Sequence, residues 1–140
     1  MKAEINKNNE LVVTVPISDQ FLKDVFCTAI ETPPSDWFVF KDPERVPGEH
    51  YPEYVSVIVE DWGDSDQPQS TKKIGMDDLR RGIAGIISGQ MLDGAGHANL
   101  CDSYRAEILR AIMDDDAGMV DANHADSIMQ AAYFGHIVYG

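Results

Sequence analysis

The chain has 140 residues, of which 44% are hydrophobic and 25% are charged, and its formal net charge is −13. This length suits one domain, and the hydrophobic content excludes an intrinsically disordered chain. No apolar run is long enough to cross a bilayer, and the first residues lack the apolar stretch of a secretion signal. We therefore expect a single cytoplasmic domain over residues 1–140, without membrane contact.

The negative charge is concentrated in two segments. Residues 42–69 hold eight acids and one base, and residues 111–140 hold five acids and no Lys or Arg. An anionic surface repels phosphate backbones, which argues against direct nucleic-acid binding and favours a basic partner protein. The alternative is that the acids serve only to keep the protein in solution.

The first third of the chain predicts a strand, a helix and a second strand. Residues 11–15 are mostly β-branched and end at Pro16, which is typical of a strand. A helix capped by Ser18 or Asp19 follows, since apolar residues recur at helical spacing up to Pro33. Residues 37–40 predict the next strand, and the prolines within 41–52 predict an exposed loop.

The middle of the chain predicts a strand pair with an acidic tip. Residues 54–62 alternate in polarity and give the clearest strand, residues 63–69 form a turn, and residues 70–74 return as its partner. A helix follows from Met76, with acids in its first turn. Its glycines share one side and predict that another backbone, from this chain or from a second subunit, packs closely there: Gly82, Gly85 and Gly89.

The last third predicts two more helices. The first spans 98–113 and ends at Asp114-Asp115-Asp116, where negative charge opposes the helix dipole. The second is capped by Asp121 or Asn123 and runs through Phe134, and residues 136–139 close as a short strand. This order of elements predicts an α+β domain: a small antiparallel sheet of about three to five strands with helices packed on one face.

No pattern indicates catalysis, a metal or a cofactor. The acids lack calcium-loop spacing, and His97 with Cys101 supplies only two metal ligands. Gly94-Ala95-Gly96 lacks the remaining residues of a nucleotide loop. Cys27 and Cys101 are the only cysteines and lack the paired spacings of a disulfide framework or a zinc knuckle, so we expect both to be reduced and buried. We therefore predict a protein that is not an enzyme.

The candidate binding residues are acids together with one aromatic ring. Trp62 lies inside an acidic run, where an exposed ring bordered by carboxylates would suit contact with a basic protein. The predicted partner-binding set comprises Glu60, Asp61, Trp62, Asp64, Asp66, Asp114, Asp115 and Asp116.

The end of the chain has a distinctive pattern: Ala125-Asp126 opens a short apolar helix, Phe134-Gly135 ends it, and the chain finishes Ile137-Val138-Tyr139-Gly140. This pattern resembles the ending of a group of uncharacterised small acidic proteins encoded by bacteriophages and prophages. The resemblance extends more loosely to Asp77-Asp78-Leu79 with Arg81-Gly82-Ile83. The resemblance implies a phage setting and carries no known activity or site residue.

Three hypotheses follow from the sequence. The first is a small acidic protein-binding domain, a phage inhibitor of a host nucleic-acid-binding defence complex that presents carboxylates where phosphates would lie. The second is a structural or assembly protein that forms a homo-oligomer through its glycine-bearing helix. The third, and the least supported, is a metal-dependent enzyme.

Overall fold

A computed structural model describes residues 1–33, 37–91 and 100–139. A two-stranded antiparallel sheet precedes a three-stranded antiparallel sheet whose strands lie side by side in chain order, which confirms the α+β prediction. The elements are β1 (Lys2–Ile5), β2 (Leu11–Thr14), α1 (Asp19–Glu31), β3 (Phe38–Val46), β4 (Glu53–Asp61), β5 (Ser70–Gly75), α2 (Met76–Ser88), α3 (Asp102–Met113), a 3-10 turn (Ala117–Met119) and α4 (Ala122–Phe134).

The core lies between the three-stranded sheet and the helices. α1 packs against β4 and α4, while α4 also packs against α2. Val57 and Val59 of the central strand are fully buried, as are Leu22 and Phe26 of α1. The predicted cap of α1 is confirmed, because the Phe21 amide donates to the Ser18 hydroxyl at 3.1 Å. Burial of these apolar side chains is the main force holding helix and sheet together.

The prediction of a loop over residues 41–52 is wrong in its first half. β3 continues through Pro43 to Val46, with register shifts between Lys41 and Glu44 that mark a bulge. Asp42 lies at the bulge with a φ of 47°. β3 is an edge strand, so the backbone N–H that Pro43 lacks is not needed for a hydrogen bond between strands. The loop is confined to residues 47–52.

The glycines of α2 face this same chain. A Cβ added to Gly82 would lie 2.8 Å from the Ala132 nitrogen and 3.1 Å from the Ile128 carbonyl oxygen, so the α4 backbone occupies that space. Gly85 lies beside the Met91 side chain, and Gly89 ends α2 with a φ of 69°. The predicted close backbone is therefore internal, and this helix face gives no support to a homo-oligomer.

The expected strand at residues 136–139 is wrong. Gly135 ends α4 with a φ of 79°, and the tail then runs beside the helix. The buried Gln130 amide bonds to the tail: its Oε1 accepts from the amides of Val138 (2.9 Å) and Tyr139 (2.8 Å), and its Nε2 donates to the Tyr139 carbonyl (2.9 Å). This one side chain satisfies the backbone groups that a neighbouring strand would otherwise bond.

Other departures from the sequence prediction are local. β1 was not predicted; it pairs with β2 across a turn in which the Asn6 side chain accepts from the Asn8 and Glu10 amides. Cys27 is partly buried, but Cys101 is exposed at the start of α3, so the prediction of its burial is wrong. His97 and Gly94-Ala95-Gly96 lie outside the described residues. In the described part of the chain, no helix is long and apolar enough to cross a membrane.

Candidate protein-binding site

The first predicted binding group lies at the end of β4, and two of its carboxylates are buried. Glu60 is 8% exposed and Asp61 is 6% exposed. Glu60 accepts from the Lys41 ammonium at 3.1 Å and from the Trp62 indole N–H at 3.3 Å. The hydrogen bond from Lys41 is the main reason that the pKa of Glu60 lies below its usual value. The negative charge of Glu60 is therefore balanced by Lys41 of the same chain.

Asp61 holds the carboxyl-terminal tail. Its carboxylate accepts from the Tyr139 hydroxyl at 3.0 Å, and its carbonyl accepts from the Gln69 amide at 2.7 Å. Burial, followed by the bond to Asp61, raises the pKa of Tyr139. Asp64 and Asp66, in the turn between β4 and β5, are the solvent-exposed carboxylates of this group.

The second predicted group, Asp114-Asp115-Asp116, is exposed where α3 ends. Asp114 pairs with Arg110 at 3.1 Å, which offsets its opposition to the helix dipole. Asp115 accepts from the Ser18 hydroxyl at 2.8 Å, and Asp116 caps the following 3-10 turn. Asp115 thus ties the end of α3 to the start of α1, while Asp114 and Asp116 stabilise their own segments.

The two predicted groups do not form one surface. Asp115 contacts the residue before α1, and Glu53, at the beginning of β4, contacts Gln20 in the first turn of α1. The acidic tip follows Asp61, at the opposite end of the nine-residue strand β4. At a rise of about 3.3 Å per residue, the two ends of β4 lie about 26 Å apart.

A third group of carboxylates gathers where the loop 47–52 runs along α1. The structure has a hollow of about 140 Å³ there, hereafter the acidic hollow, which is lined by Gln20, Asp24, Glu49, His50, Tyr51 and Glu53. Gln20 bridges two of its acids, donating to Asp24 at 3.0 Å and to Glu53. An adjoining cleft shares Asp24, Tyr51 and Glu53 and adds Glu31, Cys27 and Lys23.

The acidic hollow has few positive charges to balance its carboxylates. Within residues 1–33, 37–91 and 100–139, no lysine or arginine forms an ion pair with Asp24, Glu31, Glu49 or Glu53. His50 approaches Glu49 at 3.9 Å, and both side chains are largely in solvent. The hollow and its cleft therefore hold four acids against Lys23 and a histidine.

The field of these carboxylates acts on neighbouring groups. The pKa of the Cys27 thiol is raised, first by burial, then by the hydrogen bond to Glu31, and also by the charges of Asp24 and Glu53. Burial and the bond to Glu31 likewise raise the pKa of Tyr54, whose hydroxyl donates to Glu31 at 3.0 Å. Burial and the nearby carboxylates thus disfavour a further negative charge in the cleft.

The side chains of the acidic hollow suit a basic group. Tyr51 is 61% exposed beside the carboxylates, and the face of an aromatic ring attracts guanidinium and ammonium groups. Carboxylates bind an arginine side chain through paired, charge-assisted hydrogen bonds. The arrangement can therefore hold an arginine or lysine of a partner. Among the described residues, no group of three or more His, Cys, Asp or Glu is placed to hold a metal ion.

The predicted binding set contained no residue of the acidic hollow. Glu49 and Glu53 were recognised only as members of the acidic segment 42–69, and Asp24, Glu31 and Tyr51 were missed. Asp24 and Glu31 lie on the outward side of α1, seven residues apart, so helical spacing places them on one face. The sequence does not show that the loop 47–52 folds back along α1. Without that contact, nothing indicates that this helix face lies beside the acids of residues 42–69. Exposure of the Tyr51 ring has no sequence signal.

A groove of about 650 Å³ also lies along α3, lined in part by Leu109, Met113, Met119 and the buried His124. His124 Nδ1 accepts from the Asp121 amide at 3.1 Å, and its Nε2 bonds Glu107 at 2.8 Å. With both ring nitrogens bonded inside the chain, His124 offers no free nitrogen for acid–base catalysis or metal binding. Its role is to hold the start of α4 against α3.

Comparison of the chain with known proteins gives no relative: no family model matches it, and no characterised protein or solved structure is significantly similar.

Proposed function

We propose that this protein is a non-enzymatic binding domain whose acidic surface contacts a basic partner protein. The observation that carries the proposal is the acidic hollow, where Asp24, Glu49 and Glu53 converge from two chain segments without a lysine or arginine ion pair in the described residues. Converging carboxylates beside an exposed tyrosine favour an arginine or lysine side chain as ligand.

The narrower form of the proposal concerns the partner. The resemblance of the chain's ending to phage-encoded proteins favours a host target, and a surface that binds nucleic acid is the basic surface on which carboxylates can take the place of phosphates. We propose that the partner is a host nucleic-acid-binding complex, inhibited in the cytoplasm by occupation of its phosphate-binding side chains. Asp64, Asp66 and the Asp114-Asp115-Asp116 run then add long-range attraction.

A titration with a synthetic peptide of alternating arginine and glycine tests the hollow directly. Wild-type protein should bind the labelled peptide, and Glu49→Gln/Glu53→Gln should weaken binding at least about tenfold, whereas the matched tip variant Asp64→Asn/Asp66→Asn should change it by less than about threefold. Equal effects of the two double variants would mean that only net charge matters, and would contradict a site at the hollow.

Affinity capture from bacterial lysate then identifies the partner. Basic proteins retained by the wild type at about 50 mM NaCl and released at about 500 mM should be lost with Glu49→Gln/Glu53→Gln as bait. The captured protein should also release a DNA or RNA duplex when the acidic protein is added. Retention of the same proteins by both baits would contradict the proposal.

A further inference from the structure

The amino-terminal hairpin has one wholly apolar face. In the register of β1 with β2, Ala3 lies opposite Val13 and Ile5 opposite Leu11. Directly opposed residues share a face of an antiparallel pair, and neighbouring residues along a strand alternate between faces. The other face carries the pairs Lys2 with Thr14 and Glu4 with Val12. The hairpin is therefore amphipathic, like a strand pair that packs against a hydrophobic layer.

Among the described residues, none packs over the apolar face closely enough to bury it. All residues of β1 and β2 are exposed, including Ile5 at 65%, Leu11 at 66% and Val13 at 45%. A two-stranded hairpin is marginally stable in water on its own and needs a packed face to persist. Apolar side chains exposed together in this way mark a surface that contacts another molecule.

We propose that this face is covered by the same face of a second copy, so that two hairpins pack together about a twofold axis. The charge distribution supports this choice of partner. Residues 1–15 contain two lysines and two glutamates, so their net charge is zero and the rest of the chain carries the whole −13. Two copies repel each other at their acidic surfaces, whereas the neutral hairpin lets them approach. A twofold axis brings the same surface of each copy together, so the apolar face of one hairpin would pack on the apolar face of the other.

The available area fits a weak dimer. Met1, Ile5, Leu11 and Val13 are 73%, 65%, 66% and 45% exposed. Complete burial of this face in both copies would remove at most about 1,000 Å² from solvent, which is the lower end for specific interfaces. A small contact of this kind is typical of a weak association, and we expect a dissociation constant of about 1–100 µM. No residue of the hairpin lines the acidic hollow, so the two proposed contacts use different residues.

Sedimentation velocity of the full chain over about 1–500 µM tests the dimer. Ile5→Thr/Leu11→Thr removes the apolar contact but keeps strand propensity, and should raise the dissociation constant at least about tenfold. Val12→Thr, on the opposite face of the same strand, is the matched control and should change it less than about twofold. Circular dichroism checks that each variant keeps the fold, and Val13→Thr alone replaces the double variant if that one unfolds.

Specific outcomes of these measurements would contradict the dimer. A wild-type chain that stays monomeric at about 500 µM, or a dimer unaffected by Ile5→Thr/Leu11→Thr, would overturn the proposal. So would a monomer that binds phosphatidylcholine vesicles through Ile5 and Leu11, which would assign the face to a lipid surface. Added NaCl should leave the dimer unchanged or strengthen it while weakening the arginine–glycine peptide complex, so this proposal and the proposed function fail independently.

Discussion

Carboxylates in two regions of the molecule have different surroundings. On α2 and α3, Asp77 pairs with Arg80 at 3.1 Å and Asp102 with Arg105 at 2.9 Å, each cation three residues along the same helix. On α1, the positions three and four residues after Asp24 are Cys27 and Thr28, so no such partner exists. For these helical acids, an arginine three residues further along the helix therefore makes the difference between a balanced and an unbalanced carboxylate.

Reversal of charge should give the largest contrast between these regions. Glu49→Lys/Glu53→Lys replaces two acids of the hollow by cations, and we expect the arginine–glycine peptide to bind at least about thirtyfold more weakly. Asp77→Lys/Asp102→Lys changes the net charge equally and should weaken binding by less than about fivefold. Fluorescence anisotropy at low salt measures both constants, and a reversed order of the two variants would contradict the comparison.

The hydrogen bonds of Tyr54, on the buried side of the cleft, can be tested by measuring the free energy of unfolding. Tyr54→Phe removes a hydroxyl that donates to Glu31 at 3.0 Å and accepts from Arg45 at 3.1 Å, so we expect a loss of about 1 kcal/mol in the free energy of unfolding. The exposed Tyr51→Phe should leave stability unchanged within about 0.3 kcal/mol. Urea denaturation measures both, and an equal loss in the two variants would show that the Tyr54 hydrogen bonds contribute nothing specific.

Removal of one arginine should convert a balanced region into an unbalanced one. Arg80 pairs with Asp77 and with Asp19, the first residue of α1. Since these are partly exposed ion pairs, Arg80→Ala should cost no more than about 1 kcal/mol of stability. The two acids it frees should strengthen peptide binding by about twofold. Weaker peptide binding by a folded Arg80→Ala protein would contradict the electrostatic account.

Substitution of Asp126 should have the smallest effect on stability. Its ionised form is disfavoured by burial and not by the lack of a nearby cation. Burial raises its pKa, although the Gln130 amide and the Trp37 indole partly oppose the rise. A raised folded-state pKa means that ionisation costs stability at neutral pH. As pH falls, this cost begins to shrink at the folded-state pKa and is gone below the unfolded-state pKa. Asp126→Asn should therefore raise the urea midpoint at pH 7 and match wild type near about pH 3. A lower midpoint at pH 7 would oppose this sign.

The helices and the central strand could be predicted from the sequence because their signals are local. Apolar spacing placed α1, α2 and α4 near their observed bounds, and alternation identified β4. Pro43 misled the prediction, since an edge strand with a bulge tolerates a proline that a central strand would not. The tail misled it too, because a side chain, Gln130, rather than a strand binds its backbone.

The candidate site could be predicted only in part. The sequence located the acidic segments but could not tell that Glu60 and Asp61 are used inside the fold, by Lys41 and Tyr139. It could not place the loop 47–52 along α1 either, because that contact depends on the path of β3 and β4. Charge counts therefore found the segments, and tertiary packing determined which of their carboxylates remain available.

The most direct test of the central claim is a map of the surface that the arginine–glycine peptide touches. Amide chemical shifts of labelled full-length protein, followed by NMR during titration at low salt, should move most at Asp24, Glu49, Tyr51 and Glu53, and return when salt is added. Shifts of similar size at Asp77, Asp102 and Asp114 would contradict the claim, because they would show that paired and unpaired carboxylates attract a basic ligand alike.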